Sequence, residues 1–469
     1  MEESILQIIK STFKDAADIT FREIIIPKGK ITLIFVRDII EKHLIGEYII
    51  RPLLKHGKTI ETLQGIMDHV LLTSANEKLD ELEVILGKLL SGNVIITCDF
   101  DHGAIGCETT KFSTRNIPKP DTDPAIKGPQ EGFNESLQDN LSLIRKRIQN
   151  RYLAIKLFKV GSSSQTSVAV IYLKETAPEK LINEIIDKVQ NLKTNFILET
   201  NYIEEEFKYK YTLFDTVGNF DKPDIVCSML FEGRVAIMVE GSPSVAILPY
   251  FFTENFISPD DYYTNHIFAS GLRILRYFSF LVSVLAPAFY VALTTYHHSL
   301  IPSVFLFKLA SARAGVPFPS ILETLLMLLF LELAREAGRR LPKSIGATLT
   351  LVSTLILGET AVSAGMASGG TIVVVGVYAV TSLINPKLIS PIITLTILAT
   401  ILSSIFGLHG FFIFFIMMIA HIASLECCGY PYLFPLGTSK RINYKSRDFL
   451  FRGKAKDISN NILKGTEEE

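Results

Sequence analysis

Two stretches of this chain, Tyr277–Phe307 and Leu388–Leu425, contain no Asp, Glu, Lys or Arg. A helix at the surface of a soluble domain keeps a polar face, whereas a membrane span needs ~20 consecutive apolar residues. Charge-free runs of this length therefore place the second half of the chain in a bilayer. Between them lies a block where charge and apolar sequence alternate: ARAGVPFP (Ala312–Pro319), an apolar run, then REAGRRLP (Arg335–Pro342). The block reads as a loop-and-helix insert within a membrane domain.

The 469 residues carry a formal net charge of -1, which excludes a basic nucleic-acid binder and an acidic tail protein. Most charged residues precede Asp261, and most apolar runs fall within 271–425. The expected fold is an α+β cytoplasmic N-terminal region of two small domains followed by an all-α polytopic membrane domain. The expected boundaries are 1–120, 121–265, 266–435 and a basic cytoplasmic tail, 436–469. The start, MEESILQIIKSTFKD, has neither a basic n-region nor an apolar h-region, so no cleaved signal is expected and the soluble part stays cytoplasmic.

Five cysteines at irregular spacing, Cys98, Cys107, Cys227, Cys427 and Cys428, do not form a disulfide framework. CDFDHGAIGC matches no zinc spacing and reads as strand, DFDHG turn, strand. GSSSQ (Gly161–Gln165) lacks the Lys-Ser/Thr ending of a phosphate loop and reads as a hairpin turn. No metal, cofactor or nucleotide site is expected. With no Ser-His-Asp or paired-carboxylate arrangement at usable spacing, neither is an enzyme.

In the first soluble part, TLIFV (Thr32–Val36) reads as a strand before a helix, NEKLDELEVILGKLLSG as a helix ended by Gly92, and VIITC as a strand. Asn116–Gln130, rich in Pro and Asp, reads as a linker. In the second, Phe133–Gln149 is an amphipathic helix with Leu137, Leu141, Ile144 and Ile148 on one stripe. Its Arg145, Lys146 and Arg147 suit the C-terminal end of the helix dipole. LAIKLFKV and TSVAVIYL read as paired strands, EKLINEIIDKVQNL as a helix, and Arg234–Pro249 as two strands around EGSP.

The membrane domain has about four to six spans: 272–295, 318–334, 344–366, 371–385, 388–406 and 411–425. With six, the REAGRRLPK loop, the Lys387 turn and the tail from Lys440 share the side of the soluble region, as the positive-inside rule favours; Lys308 and Arg313 are exceptions. The fourth segment is short and is also compatible with a re-entrant arrangement. Gly346, Thr350, Thr354 and Gly358, continued by Ala361 and Gly365, form a small-residue ridge that serves either close helix packing or pore lining. Glu323 and Glu359 lie at membrane depth, where ionisable groups face protein or water. Glu323, Glu359, Thr350 and Thr354 are the candidate ion-pathway or gating residues. The competing reading is an interface ion pair, for instance with the Arg335–Arg340 cluster. Arg313, Pro317, Pro319, Glu332, Arg335, Glu336 and Arg339 form the candidate coupling segment. His409 and His421, across a break at Gly410, read as polar helix packing.

IKGPQEGFNESLQDNLSLIRKRI resembles the RGPREGF-x-E-x-L-x-x-N-x-x-L-I-R-R-R-I signature of the A subunits of bacterial spore germinant receptors, the GerA family. The resemblance continues through KPD (Lys222–Asp224), EGRVAIMVEGSP, SPDDYY, LRILRY, APAFYVALTTYH, ARAGVPFP, REAGRRLP and the Gly358–Gly365 pattern. It implies a subunit in the inner membrane of the endospore, with a cytoplasmic N-terminal region. It further implies a homo-oligomer, five subunits being one candidate count, and a transporter-like B subunit and lipoprotein C subunit as partners beside membrane lipid. The implied function is a ligand-gated cation channel that triggers germination. Two alternatives stand beside it: a stage V sporulation AF-type paralogue that amplifies ion release without sensing nutrients, and a non-conducting scaffold of a receptor cluster. The chain departs from the family where acids usually stand, at Ser299, Ala314 and Leu328, and has CCGYPY (Cys427–Tyr432) where S-F-G-x-P-Y is usual. The neutral positions imply altered selectivity or conductance.

Overall fold

Apolar alternation over β1 (Ile19–Ile26) and a nearly continuous apolar run in β2 (Gly29–Val36) make a hairpin, and β3 (Asn76–Leu79), β4 (Asn93–Cys98) and β5 (Ala104–Glu108) complete an antiparallel sheet in the order β1-β2-β4-β5-β3. The computed structural model describes residues 5–57, 60, 62–73, 75–109, 128–208, 211–434, 436 and 450–453, with backbone alone for 343–345, 347 and 349–351. Most of the expected linker and nearly all of the expected tail, Lys440 included, lie outside the described residues. Helix α1 (Leu82–Leu90) covers one face of this sheet through Ile85, Leu86 and Leu89, packed with Ile34 and Ile95. A helical segment carrying Ile45, Ile49 and Leu53 covers the other. The helix expected from Asn76 onward starts only at Leu82. Asn76–Leu79 instead pairs with Ala104–Cys107 as an edge strand.

A second antiparallel sheet, β6 (Leu153–Val160), β7 (Thr166–Leu173), β8 (Gly218–Phe220), β9 (Val235–Val239) and β10 (Val245–Leu248), runs in the order β6-β7-β9-β10-β8. Helices α2 (Leu137–Arg147) and α4 (Pro223–Phe231) share a core with one face, and α3 (Glu179–Gln190) with the other. The α2 stripe of Leu137, Leu141, Ile144 and Ile148 is buried as expected. Arg145 is not a solvated end-of-helix cation: it is buried and grips Asp18 of the first sheet domain.

Among the described residues seven α-helices follow: α5 (His266–Thr295), α6 (Ser303–Arg313), α7 (Ser320–Arg340), α8 (Lys343–Ser363), α9 (Gly369–Leu383), α10 (Ile389–Phe406) and α11 (Leu408–Ser424). Two, His266–Thr295 and Pro386–Phe406, are long and apolar enough to cross a membrane. At 15 and 17 residues, α9 and α11 are apolar but shorter. α5 packs against α9 and α10, while α8 rests chiefly on α7. One apolar core runs unbroken from Ile171 and Met238 of the second sheet through Phe252, Phe256 and Phe280 to Met327 and Ile392 of the bundle.

Two details differ from expectation. REAGRR is helical, not a loop: α7 continues to Arg340, supported by Glu336 pairing with Arg339 and Arg340 one turn on. Gly346 of α8 packs on the carbonyl of Gly338 inside this helix, so close that a Cβ at 346 would sit 2.3 Å from that oxygen. The break between α10 and α11 falls at Gly407 (φ 59°), and Gly410 lies within α11. Ser303–Arg313, between the first two expected spans, is the helix α6, most of it exposed.

Candidate functional site

The helices alternate in direction, which gives the bundle a near end against the second sheet and a far end. Side-chain pairs fix the polarity. At the near end, Asp261, buried, accepts from Arg273 Nε at 3.0 Å and from Arg276 at 2.7 and 3.0 Å. The sequence SPDDYY supplies the acid and LRILRY the two bases, so consecutive motifs make one clamp at the start of α5. Asn385, after α9, donates to the Arg276 carbonyl at 2.9 Å. Ser382 of α9 accepts from Arg335 of α7 at 2.7 Å, and Arg335 also donates to the Ala379 carbonyl at 3.0 Å and to Glu332 at 2.9 Å. Glu332 in turn accepts from the Tyr378 hydroxyl at 2.9 Å. A continuous polar chain thus runs from Asp261 through α5 and α9 to α7. Lys387 lies 4.3 Å over the Phe220 ring and His421 Nε2 stands 3.2 Å from the Thr212 hydroxyl, which tie two more helix ends to the second sheet domain.

At the far end, Thr294 of α5 bonds Ser320 of α7 at 3.1 Å, and Tyr296 donates to the Ser404 carbonyl at 2.9 Å. Glu323 is buried there, 1% exposed. One oxygen accepts from the Ser368 backbone N–H at the start of α9, where a helix N-terminus favours negative charge. The other lies 3.8 Å from Arg313 Nε, at the end of α6. Its partner is therefore Arg313 and a helix end, and not the Arg335–Arg340 cluster, which is a helix length away.

The candidate pathway residues do not converge. Glu359 is exposed on α8, on a face shared with exposed Leu355, Ile356 and Val362. Thr354 and Gly358, with Met327, Leu331, Val375 and Gly376, border a small, open apolar cleft between α7, α8 and α9. The side chain of Thr350 lies outside the described residues. Among the described ridge residues, Gly346 packs on the Gly338 carbonyl, Gly365 lies close to the Gly315 carbonyl, and Ala361 is buried in the core. The coupling segment is split: Arg313, Pro317 and Pro319 are at the far end, Glu332, Arg335, Glu336 and Arg339 at the near end, joined by the ~30 Å length of α7. Ser299 and Ala314 are exposed, and Leu328 is packed in the core. Sequence reasoning missed Tyr378, Ser382, Asn385 and Ser368. These are ordinary polar residues whose roles exist only once helices distant in sequence are side by side.

The Bacillus/Clostridium GerA spore germination protein family matches residues 7–461. The chain is 34% identical over 451 residues to spore germination protein KA of Bacillus subtilis (strain 168), covering 94% of this chain and 82% of that protein. It is 32% identical over 440 residues to spore germination protein GerLA of Bacillus cereus, covering 92% and 89%. It is also 31% identical over 434 residues to the uncharacterized membrane protein YfkQ of Bacillus subtilis (strain 168), covering 92% and 85%. Among solved structures, the N-terminal domain of the A subunit of the Bacillus megaterium spore germinant receptor GerK3 aligns with a TM-score of 0.41 and 23% identity, over 53% of this chain and 94% of that one. Matched along nearly its whole length, the chain belongs to the GerA family of spore germination proteins.

Proposed function

We propose that the protein is the A subunit of a nutrient germinant receptor in the inner membrane of the spore, and that it oligomerises into a cation channel. In this reading residues 1–120 and 121–265 form the cytoplasmic subdomains, 266–435 the membrane domain and 436–469 a cytoplasmic tail. α5 and α7–α11 make six crossings, and α6 lies at the far face. B-type and C-type subunits complete the receptor.

The observation that carries the channel reading is the α8 surface. A carboxylate at membrane depth is costly facing lipid, yet Glu359 stands exposed among Leu355, Ile356 and Val362 on a helix held chiefly by α7. Apposing α8 faces from several copies would shelter that carboxylate and line a path for cations. The polar chain from Asp261 to Arg335 gives the cytoplasmic region a connection to α7 and, through it, to α8. Deleting the gene from spores and measuring cation release on nutrient addition tests the receptor role. Loss of release, restored by the wild-type gene, is expected, with B-type and C-type subunits co-purifying. Release that persists unchanged would reject it.

A further inference from the structure

After α11 the chain forms a short clasp between bundle and soluble sheet. Glu426–Cys427 pairs with Tyr430–Pro431 as a hairpin, and Cys428 and Gly429 form its turn. Both turn residues have positive φ, 49° and 75°, as a type I′ turn requires. Such a turn favours Asn or Asp before Gly; a cysteine held there is in a region that L-residues seldom enter. Cys427 is buried in the core that also contains Leu181, Phe251 and Phe434, and Cys428 is half-buried at its edge. Tyr432 N–H donates to the Leu425 carbonyl at 2.8 Å, while its own carbonyl accepts from Phe252 N–H at 2.9 Å. The clasp therefore hands the end of α11 to the segment that follows β10.

The two thiols are free, adjacent in sequence, and packed against the same core. The neighbouring Cys428 thiol draws the Cys427 thiol below its ordinary value, with Lys188 adding to the effect, and Cys428 is pushed up. The other cysteines differ: burial pushes Cys98, Cys107 and Cys227 up to about 12, and none of them has another cysteine beside it in sequence.

We propose that Cys427 and Cys428 form a thiol–disulfide exchange site for low-molecular-weight disulfides, closing to a vicinal disulfide that alters the clasp between α11 and the soluble sheet. Cys428, the accessible sulfur, gives its proton to water and attacks one sulfur of R–S–S–R, and RS⁻ departs. Cys427 then attacks Sγ of Cys428, the mixed disulfide breaks, and the second sulfur leaves as RSH with the Cys427 proton. The two cysteines lose two electrons and the external disulfide gains them. Adjacent Cα atoms are about 3.8 Å apart, below the range of unstrained disulfides, so the ring is easily reduced and the step reversible.

The test uses the full-length protein in detergent, treated with glutathione disulfide and then with excess reduced glutathione, and read by peptide mass spectrometry. The wild type is expected to lose two hydrogens from the peptide containing residues 427 and 428, with no retained glutathione, and to regain them on reduction. Cys427→Ser should accumulate one glutathione on Cys428, and Cys428→Ser should stay largely unmodified. A wild-type peptide of unchanged mass, or one that stops at the mixed disulfide, overturns the proposal whatever the variants do. Amide hydrogen exchange at Tyr432 should quicken several-fold in the oxidised form. Ring closure with unchanged exchange overturns the effect on the clasp.

Discussion

Arg145 and Asp18 meet in a two-pronged ion pair, Nε to Oδ2 at 2.9 Å and Nη2 to Oδ1 at 3.0 Å, with both side chains almost wholly buried. The pair joins the two sheet domains where Ala17 N–H donates to the Ile155 carbonyl. Removing one member leaves the other charge buried and unpaired, a cost of about 3–5 kcal/mol. Asp18→Ala should therefore loosen the domain junction strongly, measured as faster amide exchange at Ala17 and Ile155 in the full chain. The double variant Asp18→Leu/Arg145→Met should lose far less than Asp18→Ala, because no charge is stranded.

Beside this pair, Asp38 has its carboxyl pushed up to about 6, first by burial and then by the charge of Asp18. A carboxyl that binds its proton more tightly when folded than its ordinary 3.8 weakens the fold as pH rises from about 4 through 6. Asp38→Asn should thus raise thermal stability at pH 7.5 by an amount on the order of 2 kcal/mol. At pH 4 it should change little.

Glycine packing between α7 and α8 gives a paired test. Gly346→Ala sets a Cβ against the Gly338 carbonyl, so the corner must open at a cost of about 1–3 kcal/mol. At Gly376 of α9 no atom lies within 4 Å of an added Cβ, and Gly376→Ala should stabilise the helix by about 0.5–1 kcal/mol. Melting temperatures of the detergent-solubilised protein should move in opposite directions.

Glu323→Gln keeps an acceptor for the Ser368 N–H but leaves Arg313 without its counter-charge. Amide exchange at Ser368 and Thr371 should quicken by about tenfold, matching the ~1–2 kcal/mol of a charge-assisted bond. Unchanged exchange would mean that the Arg313–Glu323 pair does not hold the far end together.

Much of the architecture is written in local pattern. The buried α2 stripe from Leu137 to Ile148, the strands around Gly161 and the apolar runs of α10 and α11 all follow from periodicity. What local pattern does not carry is partnership at long range. Arg145 looks like an end-of-helix cation until Asp18, 127 positions away, is folded against it. Asn76–Leu79 carries helical spacing, but the open edge of β5 captures it as a strand. REAGRR looks like a loop because charge marks loops, and its ion pairs one turn apart serve a helix equally well. Glu323 was legible as a buried acid in an apolar run, while Arg313 became its partner only through the turn at Pro317–Pro319.

The channel reading is tested most directly by cation flux from proteoliposomes containing the purified oligomer, wild type against Glu359→Gln. The account predicts flux above that of empty vesicles and a loss of about tenfold in Glu359→Gln, since a carboxylate lining the path lowers the barrier for cations. Oligomers that conduct nothing above empty vesicles, or that conduct equally with Gln at 359, would contradict it.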